Sequence, residues 1–466
     1  MKQKLLFAFR TSILALLALM LNGQENADIM AKIVQGERPK LAVTDFRGSG
    51  DSQSFMNTFN GTLWNDLQNT PTMQLVAKSV YPLEVPQQPS DFKPPTFTNP
   101  VRRGEQPQKV RNGPWLTDWS DPPVSANNLA FGYAAVSDGR LVLFGFLYNL
   151  SAATPQAAQL IAKTYFGSLD EAGARKVAHE FAADILTLFG GTSLNGSKIF
   201  FVSDRSGFKE IWSMDYDGSN QKQLTNYKAV STSMPAVSAD GKLLAYTTYA
   251  QGNPKIMVQT TDTGRRLAFY NPIASSVGTP EFSPDGKKIY FAATIDKWLQ
   301  LCVADLDGGN MQRLSHVQAI EVSPKVNPQT GRDLLFISGR SSTQQMWRMG
   351  LDGSNLERMT SGVGEVANPA WHKNGQIIAF AWNGGYEPGA FNIFWMDVAE
   401  KKPVQLTHGD GINENPSWAP DGLHIVFSKR RGKVTQIYSM LADGTNLQLL
   451  TTSGNNIQPV WSKGIN

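Results

Sequence analysis

The side chains best able to do covalent or acid–base chemistry are few: five histidines, one cysteine and a recurring pair of aspartates. His179, His316, His372, His408 and His424 are scattered along the chain, and three of them fall at turn positions of a repeat, where solvent exposure accounts for them. His179 lies in an amphipathic helical pattern with no evident partner. Acyl transfer needs a nucleophile, a base and an orienting acid, and α/β hydrolases carry the serine on a Gly-x-Ser-x-Gly elbow. No such pentapeptide occurs. Cys302, the single cysteine, excludes an intrachain disulfide and a cysteine-based metal site, and its apolar strand context reads as a small buried residue. Asp215, Asp217 and Asn220, and again Asp305, Asp307 and Asn310, resemble the opening of an EF-hand loop. Where that loop has its twelfth-position glutamate, these segments have Asn226 and His316, and strands flank them, so they read as hairpin turns. No metal and no other cofactor is expected.

Non-covalent binding remains, and the repeat that supplies its candidates also sets the fold. A proline, a short gap, a hydrophobic residue and a turn recur at Pro235, Pro280, Pro324, Pro369, Pro416 and Pro459, with intervals of 45, 44, 45, 47 and 43 residues. A β-branched and aromatic run follows each turn, as in Ile289–Ala292 and Ile377–Phe380; its continuous apolarity suits strands covered on both faces. A third strand carries pairs such as Ile211-Trp212 and Met346-Trp347. It ends at Asp217-Gly218, Asp307-Gly308, Asp352-Gly353 or Asp443-Gly444, dipeptides suited to a type I′ hairpin. A fourth closes with Gln223-Leu-Thr225 and its counterparts. Four strands in about 45 residues, six times over, predict a six-bladed β-propeller over 196–466. The first unit begins at Lys198 with a second strand and the last, around Val460, is a lone first strand, so the C-terminus is expected to complete blade 1. The residues preceding the anchor prolines, Met234, Thr279, Ser323, Asn368, Asn415 and Gln458, would ring the mouth of the channel. They could receive a partner or simply line a water-filled channel.

Residues 39–190 read as a small α/β domain preceding the propeller. A strand at 40–46 leads to a helix near 52–69 with Phe55, Phe59, Leu63 and Leu67 on one stripe. Strand-like runs follow at 73–77, 129–136, 141–147 and 160–166. A second helix over 169–188 opens on the capping box Ser168-Leu-Asp-Glu171. Between 81 and 124 stand ten of the 26 prolines, which remove backbone donors and preclude a regular core element; Trp115 and Trp119 either anchor this stretch or form a docking strip.

Residues 1–23 carry Lys2, Lys4 and Arg10 ahead of an apolar run over 12–21, too short to span a bilayer but fitting a signal peptide. Cleavage after Gly23 or near Ala27, a flexible segment over 24–38 and a soluble, monomeric product in the periplasm are expected; no cysteine offers a lipid-attachment site there. A net charge of +4 is too small for a nucleic-acid footprint. The one basic run, Lys429-Arg430-Arg431 with Lys433, reads as a solvated hairpin loop.

The repeat of Pro280-Glu-Phe-Ser-Pro-Asp-Gly286, with Ser203-Asp-Arg-Ser-Gly207, Ile211-Trp212, Asp217-Gly218 and Gln223-Leu-Thr225, resembles the propeller repeats of the TolB family, and Pro39-Lys-Leu-Ala-Val-Thr-Asp-Phe46 resembles that family's opening strand. Related repeats occur in propeller peptidases. The resemblance implies a non-enzymatic component of the Tol-Pal envelope system. It would contact a TolA-like inner-membrane protein through its N-terminal region and receive a Pal-like peptidoglycan-associated lipoprotein at the propeller channel. A propeller-based enzyme, peptidase-like or lyase, or a glycan-binding protein is the alternative. Two departures from the family are the longer proline-rich stretch and the absence of a histidine just before Pro280, where Ser275-Ser-Val-Gly-Thr279 stands.

Overall fold

The computed structural model describes residues 38–93, 96–97, 109–228, 230–385, 389–409 and 411–463. The expected signal peptide, nearly all of the 24–38 segment and part of the proline-rich stretch lie outside the described residues. The chain divides into two compact units that part between Asn195 and Gly196. Among the described residues no helix is long and apolar enough to cross a membrane.

In the N-terminal unit, strand Lys40–Val43 pairs in parallel with Gln74–Leu75 and with Asn128–Ser137; Arg140–Asn149 and Gln159–Ser168 extend the sheet antiparallel. Helices Met56–Gln68 and Glu171–Leu188 cover one face through Phe59, Leu63, Leu67, Val177, Phe181 and Ile185. The cap of the second helix differs from the box expected. Asp170 is the N-cap and accepts from the Gly173 N–H at 2.7 Å, while Ser168 donates to the Asp170 carboxylate at 2.7 Å. His179 does have a partner: its Nδ1 lies 2.7 Å from Asp66 Oδ2, a buried pair that fastens the two helices. The other face of the sheet is covered by the proline-rich stretch, whose Phe92, Trp119 and Val124 pack on Leu129, Phe131 and Tyr148. Trp119 is fully buried and anchors the segment; Trp115 is half-buried beneath Arg111. Among its described residues the stretch has only short regular pieces, such as the Thr96–Phe97 and Lys109–Val110 ladder and the helix Thr117–Ser120, so large aromatic side chains rather than a strand ladder hold this layer on the sheet.

The second unit is a ring of six four-stranded antiparallel sheets. Its inner strands are Asn456–Ser462, Thr232–Val237, Val277–Phe282, Glu321–Val326, Val366–Trp371 and Ile412–Trp418, in blades 1 to 6. The last strand of the chain pairs with Lys198–Ser203, so blade 1 is made from both ends of the unit. Neighbouring sheets stack through side chains such as Ala379, Trp395, Phe427 and Met440, which is why the second strands are apolar on both faces. Cys302 is buried in one such layer, and burial pushes its thiol up to about 11.

Two readings of the repeat change. At the Asp-Gly turns only the glycine has positive φ: the Gly218 N–H donates to the Asp215 carbonyl at 3.0 Å and the Asp215 N–H to the Ser219 carbonyl at 2.9 Å. This is a type I turn with a glycine bulge rather than type I′. Asp217 Oδ1 accepts from the Ser219 N–H and hydroxyl, and Asp307, Asp352 and Asp443 make the equivalent turn bonds. The threonine of the Gln-Leu-Thr signature lies beyond its two-residue strand and acts as a clamp. In blades 1, 4, 5 and 6 the hydroxyls of Thr225, Thr360, Thr407 and Thr451 accept from the third-strand N–H of Ile211, Met346, Ile393 and Ile437 at 2.8–2.9 Å. Each also donates to the side chain just before it: Glu210, Gln345, Asn392 or Gln436. Ser315 does the same in blade 3, and Asn271 replaces it in blade 2.

Replacing Thr451 with valine keeps the shape and leaves the Ile437 N–H and the Gln436 carboxamide without this partner. Urea denaturation is expected to show a loss of about 1–3 kcal/mol, with Thr451→Ser losing less.

Candidate functional site

The anchor prolines shape the centre of the ring. Proline has no N–H to donate, so the inner strand cannot keep its ladder through that point. In every blade the register shifts by one residue there, for example between Ser233 and Ala236 and between Gly278 and Glu281. The residue before each proline takes a positive φ: 56° at Met234, 51° at Thr279, 56° at Ser323, 52° at Asn368, 57° at Asn415 and 53° at Gln458. Non-glycine residues rarely adopt this region, and a β-branched threonine least of all. Six such positions at equivalent places make the bulge a shared device of the ring.

All six residues line a single cavity of about 310 Å³ at the ring centre, together with the anchor prolines. Their side chains are in part engaged between blades. Gln458 Oε1 accepts from the Met234 N–H at 2.8 Å, Thr279 Oγ1 from the Ser323 N–H at 3.3 Å and Asn368 Oδ1 from the Asn415 N–H at 3.4 Å. These bonds stitch alternate seams: blades 1 to 2, 3 to 4 and 5 to 6. At the seam between blades 6 and 1, Ser417 Oγ takes over and accepts from the Trp461 N–H at 3.0 Å. Asn415 Oδ1 instead accepts from the Ser428 hydroxyl at 3.0 Å.

The lining contains chemistry that the sequence reading did not single out. Glu281 and Lys325, each one residue after an anchor proline, form an ion pair at 2.6 Å across blades 3 and 4. Burial pushes the Glu281 carboxyl up, against the pull of Lys325. Charged residues in the same slot of consecutive repeats were the available signal. Trp371, Trp418 and Trp461 form an aromatic sector of the wall. Trp371 donates to the Lys325 carbonyl at 2.9 Å and Trp461 to Ser197 Oγ at 3.1 Å. Behind Trp418 stands His372, its ring edge-on at 4.8 Å.

The histidines correct the expectation of exposure at turns. His316 and His408 are exposed, but His372 and His424 are buried. The Asn374 N–H donates to His372 Nδ1 at 3.2 Å, so Nε2 carries the proton and donates to the Gly422 carbonyl at 3.0 Å. His424 Nδ1 lies 2.6 Å from Asp421 Oδ2. Lys429 is likewise buried, over the Tyr438 ring, although the rest of its basic run is exposed. Among the described residues no group of three or more His, Cys, Asp or Glu could hold a metal ion.

The PD40 family, described as the TolB beta propeller domain, matches residues 187–387 and 363–464, well over half of the chain. The chain belongs to the TolB family. A TolB homolog from Chlorobium luteolum is 41% identical over 136 residues, 29% of this chain and 30% of that protein. The Tol-Pal system protein TolB of Geobacter sulfurreducens is 34% identical over 143 residues, 30% of this chain and 31% of its own. The matched stretches thus span about a third of the length of these curated relatives. The crystal structure of TolB from Acinetobacter baumannii superposes with a TM-score of 0.69 at 19% identity, covering 92% of this chain and 97% of that one. The propeller preceded by an α/β unit is therefore the TolB architecture.

Two outcomes follow from the ring geometry. Met234→Gly removes a side chain that cannot accept the neighbouring N–H and relieves a positive φ, so thermal unfolding should show a gain of about 1 kcal/mol. His372 is held below its ordinary value chiefly by burial, with Lys373 adding to this and the Asn374, Gly422 and Asp421 contacts opposing. An unfolded chain then binds the proton first, so this contribution is complete above pH of about 6.5 and declines as pH falls below it. A melting series in that range should slope downward, and His372→Gln should flatten it.

Proposed function

We propose that this TolB-family chain is a non-enzymatic, periplasmic scaffold of the Tol-Pal system. It docks a Pal-like peptidoglycan-associated lipoprotein at the propeller channel and a TolA-like inner-membrane protein through its N-terminal region, as a monomer. The observation that carries the reading is the convergence of Met234, Thr279, Ser323, Asn368, Asn415 and Gln458 on one rigid cavity. Relatives bearing the name Tol-Pal system protein TolB support the assignment to that system. A ring of bulges fixed by prolines is a preorganised surface, which lowers the ordering cost of binding. The Glu281–Lys325 pair and the tryptophan sector give it the mix of polar and aromatic groups typical of binding hot spots.

The test uses the full mature chain and the same organism's purified peptidoglycan-associated lipoprotein. Lys325→Glu sets two carboxylates together beside the channel, and Asn368→Lys fills its centre while losing one inter-blade bond. Calorimetric titration is expected to show affinity at least about tenfold lower for each, a change of about 1.4 kcal/mol. Wild-type affinity retained by both variants, with circular dichroism reporting intact folds, would remove the channel assignment.

A further inference from the structure

We propose that the loops at one end of the ring, across blades 6, 1 and 2, form a docking surface for an anionic lipid bilayer, independent of any capture at the channel. In a four-stranded antiparallel blade, the loop between strands 2 and 3 and the connection to the next blade emerge at the same end. Backbone bonds tie these loops together: the Thr232 N–H donates to the Lys209 carbonyl at 2.9 Å and the Tyr249 N–H to the Ser231 carbonyl at 3.0 Å. The Thr435 N–H donates to Asn455 Oδ1 at 3.1 Å, and Asn455 also holds Asp204, which joins the blade 6 hairpin to the blade 1 loop.

This arc presents apolar side chains to solvent: Val434 is 52% exposed, Phe208 43% and Val230 85%. Each has a cation within two residues in sequence, namely Lys433, Lys209 and Lys228, all exposed. Arg430 lies in the same sector, with Glu414 facing it. The acid on the blade 1 loop, Asp204, is engaged by the Asn455 N–H at 2.7 Å and its carboxamide at 2.9 Å. On blades 3 to 5 the same end also exposes Ile273, Ile320 and Val363, but there Asp296 is paired with Arg313, Arg340 with Glu321, and Glu365 offsets Lys297. Among the described residues, cationic excess and exposed apolar tips therefore coincide on blades 6, 1 and 2.

Charge complementarity selects an acidic surface, and the distribution of the apolar groups selects lipid. They stand apart from one another, Phe208 in the blade 1 loop, Val230 in the connection between blades 1 and 2, and Val434 at the start of a strand in the blade 6 hairpin. Single side chains can enter the boundary between headgroups and acyl chains while flanking lysines remain at the phosphates. A protein partner would be met by a closely packed apolar centre with charges excluded to its rim, and here the charges alternate with the apolar tips.

The experiment is co-sedimentation of the full mature chain with vesicles of phosphatidylcholine, alone or mixed with phosphatidylglycerol. Binding is expected only to the mixed vesicles and should weaken as salt rises. Each cation near such a surface contributes roughly a fivefold factor, so K209E/K228E/K433E should lower binding by about a hundredfold or more. F208S/V230S/V434S should lower it by about tenfold while preserving the salt response. Absence of binding to mixed vesicles, or binding unchanged in the lysine variant, overturns the proposal. So does retention of soluble polyglutamate without vesicles, which would assign the arc to an acidic protein. If the charge-reversed variant melts early, wild-type binding that is insensitive to salt overturns it equally. Lipoprotein capture at the channel, measured in parallel, stays unchanged in the arc variants.

Discussion

The pairing of Asn456–Ser462 with Lys198–Ser203 is the constraint on which the second unit depends. Stacked sheets in an open array leave two terminal blades with an uncovered apolar face, and a ring has none. The closing strand is more than a ladder. Asp204 receives both the backbone and the carboxamide of Asn455, Arg205 donates to Asn456 Oδ1 at 2.9 Å, and Trp461 reaches Ser197. These contacts join residues about 250 positions apart, so they help to offset the entropy of closing a loop of that length. Arg205 also lies over the rings of Phe201 and Trp212, which orients its guanidinium toward the incoming tail.

With closure fixed, the centre of the ring becomes a place where backbone strain can persist. Six non-glycine residues at positive φ would each relax in an isolated hairpin. Here the following proline fixes one side, the neighbouring blade the other, and at alternate seams a side-chain bond holds the pair. The same arrangement that narrows the channel also makes its wall stiff. The six residues before the prolines thus serve the stability of the ring, while Glu281, Lys325, Trp371 and Trp418 line the same cavity without joining the tail to blade 1.

The fold was legible in the sequence to the extent that it is periodic. The anchor proline, the apolar second strand and the Asp-Gly turn each repeat because each answers a local requirement met six times over, and their spacing alone implies the blades. The Gln-Leu-Thr signature was visible as a repeat but not as a clamp: its threonine bonds to a residue fourteen positions earlier, and no local pattern distinguishes that from a strand end. The partners of His179 and His372 are not legible for a related reason. Asp66 and Gly422 are remote in sequence and come close only through packing. The proline-rich stretch likewise has no periodicity that would show it to be a layer.

The sequence by itself determined the number of blades, the order of the two units, the closing role of the tail and which six residues would meet at the centre, since all of these follow from spacing and from what proline forbids. Tertiary structure alone decided that those six residues adopt positive φ, that their side chains bond across alternate seams, that Glu281 meets Lys325, and that basic and apolar loop tips gather on one arc. These depend on which blade stands beside which and on the rotation between them, quantities that arise when the ring closes and that no stretch of the chain encodes locally.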